Sequence, residues 1–299
     1  ILKKIGNLDV VGFKTQNNKV QIIILFLRGG YIIDKADLYF TSKTKQLQME
    51  IYQIISQFYS KQISIPNTVL VSDKFIYLTE LKEDLLEISS RKIKVEAPKK
   101  GKKNMLIELA TKNADDYIKK NIKSEKDTSS LLERLKRIMN LDRIPRRIEC
   151  FDISNIQGKN SVGSMVTFIN GKSEKNLYRK FKIKTRGPND YAMMEEVVSR
   201  RLKRIGESGW EKPDLLLIDG GKGHLNKIHK IVDSDINIAS IAKSKNKQER
   251  DKIYLPNKKL PVDFNSNQDE LNILIKARDE AHRFAIGFHK SKRSKAMFS

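Results

Sequence analysis

The heptapeptide LLLIDGG at residues 215–221 is a short apolar run that ends in an aspartate and two glycines. An almost continuous apolar run of this length is typical of a central strand buried on both faces of a sheet. A second candidate, IECFDIS, occupies residues 148–154. Strand alternation places Ile148, Cys150 and Asp152 on one face, so this strand also carries a carboxylate near its end. The two best core strands of the sequence therefore both finish in aspartate.

These two aspartates, Asp152 and Asp219, predict a metal site if their strands are parallel neighbours. Parallel strands of α/β folds end at one edge of the sheet, which is where such folds place their functional sites. Two carboxylates a few ångströms apart repel each other, and a hard divalent ion with oxygen ligands relieves that repulsion. The alternative is structural, with each aspartate starting a turn or capping the helix that follows it.

Strands and helices alternate around this pair of strands. A hairpin meander followed by alternating helix and strand indicates a mixed sheet, and therefore an α/β or α+β fold. We assign residues 147–299 to this domain. The predicted strands are 147–153, 161–169, 177–184, 215–219 and 238–242, and the predicted helices are 190–205, 223–232 and 267–288.

The N-terminal third of the sequence predicts a smaller subdomain, rich in β-structure with added helix, over residues 1–97. It opens with short β-branched stretches around a Gly-Gly turn, which indicate a strand meander. Apolar residues then recur at helical spacing within residues 47–58, which predicts a helix. Residues 98–146 begin with a lysine-rich segment after a proline, and we predict a basic linker there with two connecting helices, 104–120 and 127–139. The sequence shows no internal repeat.

The charge of the chain indicates a polyanionic partner. Its 299 residues include 59 Lys and Arg against 36 Asp and Glu, a formal net charge of +23. Nucleic acid is the leading candidate and an anionic membrane surface the second. The longest apolar run, residues 22–27, is far shorter than the roughly 18 residues that span a bilayer, so we predict no membrane helix. The single cysteine, Cys150, excludes an internal disulfide and a Cys-built zinc site, and it favours a reducing cytoplasm.

Two histidines and a third aspartate are further candidates for the site. His282 and His289 lie on the same side of the apolar stripe of the last predicted helix as Asp279. Seven residues of helix separate the two histidines by about 10 Å, which is too far for both to bind one ion. A histidine beside a buried stripe is by itself more often structural. Asp190 stands at the start of an earlier helix, where either Asn189 or Asp190 can serve as the cap.

The loop GGKG at residues 220–223 lies between a predicted strand and a predicted helix. Free backbone N–H groups at a helix start can hold a phosphate. The loop is not a Walker motif, because Leu216 stands where the first glycine is required and Gly223 replaces the serine or threonine. We favour a tight turn with room for a substrate phosphate, and a nucleotide-binding enzyme remains a rival interpretation.

Basic residues concentrate on both sides of the GPNDYA segment and again at the end of the chain. Such a belt fits contacts to DNA phosphates without readout of base sequence, although a solvated surface accounts for it equally well. The predicted DNA-contacting residues are Arg179, Lys180, Lys184, Arg200, Arg201, Arg204, Lys222, Lys292 and Arg293.

Four separated motifs resemble the C-terminal half of the UvrC family, the incision subunits of the bacterial UvrABC excinuclease. The resemblance covers nearly the whole chain, and FYSK at residues 58–61 is its best local match before the core. Because the chain begins at Ile1 without a signal peptide, we expect a fragment of a longer protein. The four motifs are IECFDIS at 148–154, GPNDYA at 187–192, LIDGGKG at 217–223 and RDEAHRFA at 278–285.

This resemblance implies an RNase H-like fold with a metal site formed by Asp152, Asp219 and His282, and Asp190 as a further catalytic residue. It implies an endonuclease of nucleotide excision repair that makes the 5′ incision in double-stranded DNA beside a lesion, using Mg²⁺ or Mn²⁺. It also implies UvrB as a partner, through a part of the protein that would precede this chain. GIY-YIG and helix-hairpin-helix parts of the family are not recognisable here. The main rival is a non-catalytic RNase H-like module that binds nucleic acid or a protein partner.

Overall fold

The computed structural model of the chain describes residues 6–44, 46–89, 91–154, 161–185, 187, 189–244, 249–264 and 267–297, with side chains no further than residue 286. The chain divides into two compact units, Ile1–Glu125 and Lys126–Ser299. The described part of each unit is a mixed sheet flanked by helices, which confirms the predicted fold class. No helix in these ranges is long and apolar enough to cross a lipid bilayer.

The first unit begins with a meander of three antiparallel strands. The fourth strand then pairs in parallel with the first, and the fifth pairs in parallel with the fourth. In space the strands follow the order third, second, first, fourth, fifth. The elements are β1 (Leu8–Gln16), β2 (Lys19–Arg28), β3 (Tyr31–Thr41), α1 (Leu47–Ser60), β4 (Thr68–Val71), α2 (Leu78–Ser89), β5 (Lys94–Glu96) and α3 (Gly101–Met139).

Strand β2 shows why this sheet is buried on both faces. Its apolar run places Ile22 and Ile24 in one core cluster, which contains residues of α1 and α2. The alternate residues, Ile23 and Leu25, belong to a second cluster that contains residues of α3. Because successive side chains of a strand point to opposite faces, a continuous apolar run fits only a strand that is covered on both sides.

The second unit contains the two strands that end in aspartate. Strand β6 is antiparallel to β7, and β7 is antiparallel to both β8 and β9. Strand β10 runs parallel to β6, β11 runs parallel to β10, and β12 extends the sheet in the antiparallel sense. The elements are β6 (Arg147–Ser154), β7 (Val162–Ile169), β8 (Lys172–Ser173), β9 (Arg179–Lys182), α4 (Asp190–Leu202), β10 (Leu215–Asp219), α5 (Lys222–Ile228), β11 (Asn237–Ala242), β12 (Lys252–Tyr254) and α6 (Gln268–Met297).

The same strand arrangement thus occurs twice in the chain. In each unit an antiparallel meander is followed by two parallel strands that are added on the far side of the first strand. The sequence contains no recognisable repeat, because the side chains that fill the two cores differ. The repetition is visible only in the strand pairing.

Helix α3 differs from the prediction. The sequence predicts two helices with a break between residues 120 and 127, whereas the structure has one helix over Gly101–Met139. That expectation is wrong because the intervening residues, NIKSEK, include neither proline nor glycine, so nothing interrupts the backbone hydrogen bonds. Helix α2 and strands β8 and β12 were not predicted. The division at residues 97 and 146 remains a prediction.

Helix α6 packs across the strands that carry the candidate site. Ala277, Ala281 and Ala285 recur every four residues on its buried face. Their small side chains allow the helix to approach the sheet closely. The helix begins at Gln268 and continues to Met297, so it is longer than the predicted span of 267–288.

Candidate metal centre

Strand pairing brings the two predicted aspartates together. Strands β6 and β10 are parallel neighbours, and Phe151 lies opposite Ile218 in their register. The next residue on each strand is the aspartate, so Asp152 and Asp219 emerge side by side at one edge of the sheet. The apolar part of each strand ends here, and the Asp152 residue is only 7% exposed.

Helix α6 supplies the third group of the cluster. His282 Nδ1 lies 3.2 Å from Asp152 Oδ2, and 64% of the histidine side chain is exposed. Buried Ser164, on the neighbouring strand β7, holds the helix in this position. Its hydroxyl contacts the Ala281 carbonyl oxygen at 3.2 Å and the Asp152 carbonyl oxygen at 3.4 Å. Ser164 therefore fixes helix α6 to the sheet directly before His282, the residue that contacts Asp152 of β6.

The geometry of these three side chains fits a divalent cation. One ligand atom each from Asp152, Asp219 and His282 can be chosen so that all three lie within 4.8 Å of one another. Metal–oxygen bonds of roughly 2.0 to 2.6 Å place two ligands of one ion up to roughly 5 Å apart. No other such group of His, Cys, Asp and Glu occurs in the described part of the chain. Carboxylate ligands suit Mg²⁺ and Mn²⁺, and the exposed side of the histidine leaves space for water and substrate.

The electrostatics of the aspartates favour the same interpretation. Burial, followed by the nearby charge of Asp152, raises the pKa of Asp219 to about 6. Burial also raises the pKa of Asp152, against the opposing hydrogen bond from His282. The ionised form of each carboxylate is therefore disfavoured in this environment. A bound cation would stabilise that form by supplying positive charge.

Arg278 is a residue of the site that the sequence analysis did not single out. It lies one helical turn before His282 and is 6% exposed. Its guanidinium contacts the carboxylate of Asp251 and lies 2.6 Å from Asp279 Oδ1. Its charge partly offsets the raised pKa of Asp219. Its place in the RDEAHRFA motif was a usable signal, whereas nothing in the sequence indicated Asp251.

The structure does not bring Asp190 into this cluster. Asn189 caps helix α4, because its side-chain oxygen accepts a hydrogen bond of 3.1 Å from the Ala192 amide. Asp190 therefore is not the cap. Its carboxylate lies close enough to His224 to oppose the fall in the pKa of that histidine that burial causes.

The described ends of β1 and β4, which correspond to those of β6 and β10, carry no such carboxylate pair in the first unit. The last paired residues of β1 and β4 are Val11 and Val71, and Gly12 and Ser72 follow them. A side chain at Gly12 would overlap the backbone of Ala110 in α3. Gly12 thus corresponds in the first unit to Asp152 in the second, and the backbone of α3 leaves no room for a side chain there.

Both units match known protein families. Residues 136–286 match the family described as the UvrC RNase H endonuclease domain, and residues 7–121 match the UvrC ribonuclease H-like domain. The chain belongs to the UvrC family. These matches also confirm the RNase H-like fold that the sequence motifs implied.

Two curated members of the UvrC family, both named UvrABC system protein C, illustrate the similarity. The protein of Desulfatibacillum aliphaticivorans is 38% identical over 97% of this chain and 49% of its own length. That of Geotalea daltonii is 35% identical over 98% of this chain and 49% of its own length. The chain thus spans about half the length of the curated relatives that it matches. Among solved structures, endonuclease V from Bacillus subtilis aligns with a TM-score of 0.35 and 11% identity, over 57% of this chain and 94% of that one.

Most of the predicted DNA-contacting residues with described side chains lie at the surface. Lys180, Lys184 and Arg204 are exposed, and Arg179, Arg200 and Lys222 are partly exposed. Three of them contact aromatic rings. The guanidinium carbon of Arg204 lies 3.9 Å from the centre of the Trp210 ring, that of Arg179 lies 5.1 Å from it, and Lys180 Nζ lies 4.4 Å from the centre of Phe284. These contacts hold the cationic groups in defined positions.

Arg201 is an exception, and its assignment to the DNA-contacting set is corrected by the structure. Its side chain is fully buried. Its Nε and Nη2 atoms donate hydrogen bonds of 2.7 and 2.8 Å to the carboxylate of Glu149, which is also fully buried. A guanidinium enclosed in this way cannot reach a DNA phosphate.

Three predicted residues cannot be placed. The side chains of His289, Lys292 and Arg293 lie outside the described residues, although the backbone of α6 continues through them. Their roles in DNA contact, or as a structural histidine, remain predictions.

We expect the variant Asp219→Asn to be more stable than the parent protein in the absence of metal at neutral pH. The folded pKa of about 6 lies above the unfolded value near 4, so ionisation of Asp219 costs stability. This cost appears as the pH rises from about 4 to about 6 and is fully present above that range. Calorimetric melting in EDTA should therefore show a higher Tm for the variant at neutral pH and no gain below about pH 4. Asp73→Asn, an exposed aspartate of the first unit, is the control, and a lower neutral Tm for Asp219→Asn would contradict the prediction.

Proposed function

We propose that this chain carries the metal-dependent endonuclease centre that makes the 5′ incision in damaged DNA during nucleotide excision repair. The observation that carries the proposal is the convergence of Asp152, Asp219 and His282 in a chain of the UvrC family. The metal is Mg²⁺ or Mn²⁺, because carboxylates are the main ligands. UvrB is the proposed partner in the complete protein, through a part outside this chain.

The residues of the centre have separate tasks in this proposal. Asp152 and Asp219 would hold the cation by their charge, and the neighbouring strands keep the two carboxylates side by side. Bound at this position, a divalent cation would supply a water molecule of lowered pKa and would neutralise charge on the phosphodiester. His282, held by Asp152 and largely exposed, completes the ligand set or transfers a proton at its open side. Ser164 and Arg278 position the helix that carries His282.

The basic residues hold the duplex through its phosphates. Arg200 lies in the last turn of α4, and Arg204 follows the end of that helix. Phosphate contacts from such residues bind DNA of any sequence, which suits an enzyme that must act wherever damage occurs.

The experiment that tests the proposal is an incision assay on a duplex with one defined lesion. The chain is added with Mg²⁺, with Mn²⁺ or with EDTA, alone and together with the other excision repair proteins. We expect nicks on the 5′ side of the lesion that require the metal. If the reconstituted system makes this cut equally well in EDTA, or makes none, the nuclease assignment fails and the non-catalytic module becomes the better interpretation.

Salt dependence distinguishes the surface arginines from Arg201. If Arg200 and Arg204 each neutralise one phosphate, replacing either with glutamine lowers the slope of log K against log salt by about 0.9. Arg201→Met should leave the slope unchanged wherever the protein stays folded, because that guanidinium is buried. Fluorescence anisotropy with a short duplex over a range of salt concentrations measures these slopes. Equal slopes for all three variants would remove these arginines from the proposed interface.

A nucleotide-binding enzyme built on residues 220–223 receives no support from the fold. Two glycines of this loop pack against side chains of the protein itself, since a side chain would lie 2.7 Å from His224 Nδ1 at Gly220 and 2.9 Å from the Tyr191 hydroxyl oxygen at Gly223. The loop leads into α5, which is only 7 residues long. The rings of His224 and Tyr191 therefore occupy part of the space next to the loop that a bound nucleotide phosphate would need.

A further inference from the structure

A pair of aromatic rings in close contact connects helices α4 and α5 beside the metal centre. The centroids of the Tyr191 and His224 rings are 4.3 Å apart, and the ring planes are inclined by 30°. Tyr191 is the second residue of α4, and His224 lies in the first turn of α5. Both rings thus adjoin the loop that begins directly after Asp219.

Two glycines of this loop are required for the pair to fit. Gly220 adopts a φ angle of +153°, which favours glycine, and a side chain there would lie 2.7 Å from His224 Nδ1. A side chain at Gly223 would lie 2.9 Å from the hydroxyl oxygen of Tyr191. The loop that follows the metal-binding aspartate is therefore shaped around these two rings.

Core packing does not account for Tyr191. The Tyr191 residue is 47% exposed, whereas the neighbouring Met193 and Met194 are buried and fill the core beneath α4. Half of a large aromatic surface thus faces solvent at the edge of the site. Exposed aromatic rings beside a nucleic-acid site are the groups on which bases stack.

The charges around the pair indicate which part of a nucleotide it contacts. Burial lowers the pKa of His224, with Asp190 as the opposing influence, which favours the uncharged imidazole at neutral pH. An uncharged, flat surface suits a base or a deoxyribose better than a phosphate. Lys222, in the same loop, is the cationic neighbour that suits the phosphate.

We propose that Tyr191 and His224 form an aromatic shelf that positions the nucleotide adjoining the phosphodiester held at Asp152 and Asp219. The inference rests on the proposed function, because it takes DNA as the ligand of the metal centre. Tyr191 supplies the exposed stacking surface, and His224 supports it from the buried side. Since every base has an aromatic face, such a shelf positions a nucleotide without selecting its sequence.

The test uses short single-stranded oligonucleotides that carry 2-aminopurine at successive positions, bound to the whole chain with Ca²⁺ as the divalent ion. Stacking on Tyr191 should quench the 2-aminopurine fluorescence at one position. Tyr191→Phe keeps the stacking face and should keep the quenching, whereas Tyr191→Ala should lose it and bind about tenfold more weakly. Tyr31→Ala is the matched control, because Tyr31 is a similarly exposed tyrosine of the first unit.

The outcomes separate this inference from the nuclease proposal. Quenching that is lost only in Tyr191→Ala supports the shelf, whether or not the chain cuts DNA. Absence of quenching in the parent protein, or equal quenching in Tyr191→Ala and Tyr191→Phe, overturns it even if metal-dependent nicking is observed. Circular dichroism and Mn²⁺ affinity, which the shelf does not determine, should be the same for all of these proteins and show that they are folded.

Discussion

Nicking activity should fall by about three orders of magnitude or more when either Asp152 or Asp219 is replaced by asparagine. A metal ion contributes several kcal/mol to phosphodiester cleavage, and each 1.4 kcal/mol corresponds to a factor of ten in rate. Asparagine keeps the shape of the side chain but removes the charge that holds the ion. DNA binding should change little, because phosphate contacts come from the separate basic residues. The measurement is the initial rate of incision in the reconstituted assay, together with DNA affinity by anisotropy.

Three variants test whether this loss is specific to the cluster. His282→Ala should lose incision as well, because His282 contacts Asp152 at 3.2 Å. His289→Ala should keep most of it, since that residue lies about 10 Å further along the helix. Asp73→Asn, in the first unit, should behave like the parent protein. Parental activity in either aspartate variant, or loss in His289→Ala with activity retained in His282→Ala, would show that a different set of residues forms the centre.

The largest effect on stability should come from Arg201→Met, with a loss of about 3 to 5 kcal/mol in the free energy of unfolding. Arg201 and Glu149 are both fully buried and share two hydrogen bonds. Removal of the guanidinium leaves the Glu149 carboxylate in the core with Arg147 as its remaining partner, at 2.9 Å. A single remaining partner does not offset the free-energy cost of keeping the ionised Glu149 carboxylate away from water. Denaturant unfolding measures the change.

Neighbouring substitutions provide the controls. Arg200→Met changes the adjacent residue, whose side chain is 40% exposed, and should cost no more than about 1 kcal/mol. The double variant Glu149→Leu with Arg201→Met should recover part of the loss, because it removes both buried charges. A cost for Arg201→Met as small as that for Arg200→Met would mean that the pair is open to water in solution.

The sequence by itself determined the elements that carry the site. The apolar run before Asp219 identified one core strand, since burial on both faces requires a nearly continuous apolar segment, and the alternation of Ile148, Cys150 and Asp152 identified the other. The helical spacing of apolar residues likewise identified the helix that carries His282. These signals are local, because the backbone hydrogen bonds of a helix and the alternation of a strand involve residues close together in the chain. The sequence predicted that Asp152 and Asp219 meet only if their two strands are parallel neighbours. The family motifs added His282 to the predicted metal site.

Arg201 shows where local signals were insufficient. It continues the buried stripe of Val197 and Val198 on α4, so its helical spacing was a usable indication of burial. Its place beside Arg200, which is partly exposed, predicted instead that it belongs to a basic surface. What makes burial of Arg201 possible is Glu149, 52 residues earlier, and no local pattern connects the two.

Only the tertiary structure decided which residues meet across strands and helices. Parallel pairing of β6 with β10 brought Asp152 beside Asp219, and the packing of α6 brought in His282 and Arg278. The tertiary structure also placed Asp190 near His224 rather than in the metal cluster. It showed, in addition, that the first unit has the same strand order as the second. Pairing and packing depend on contacts between residues far apart in the chain, whose energies are properties of the whole fold and not of any one segment.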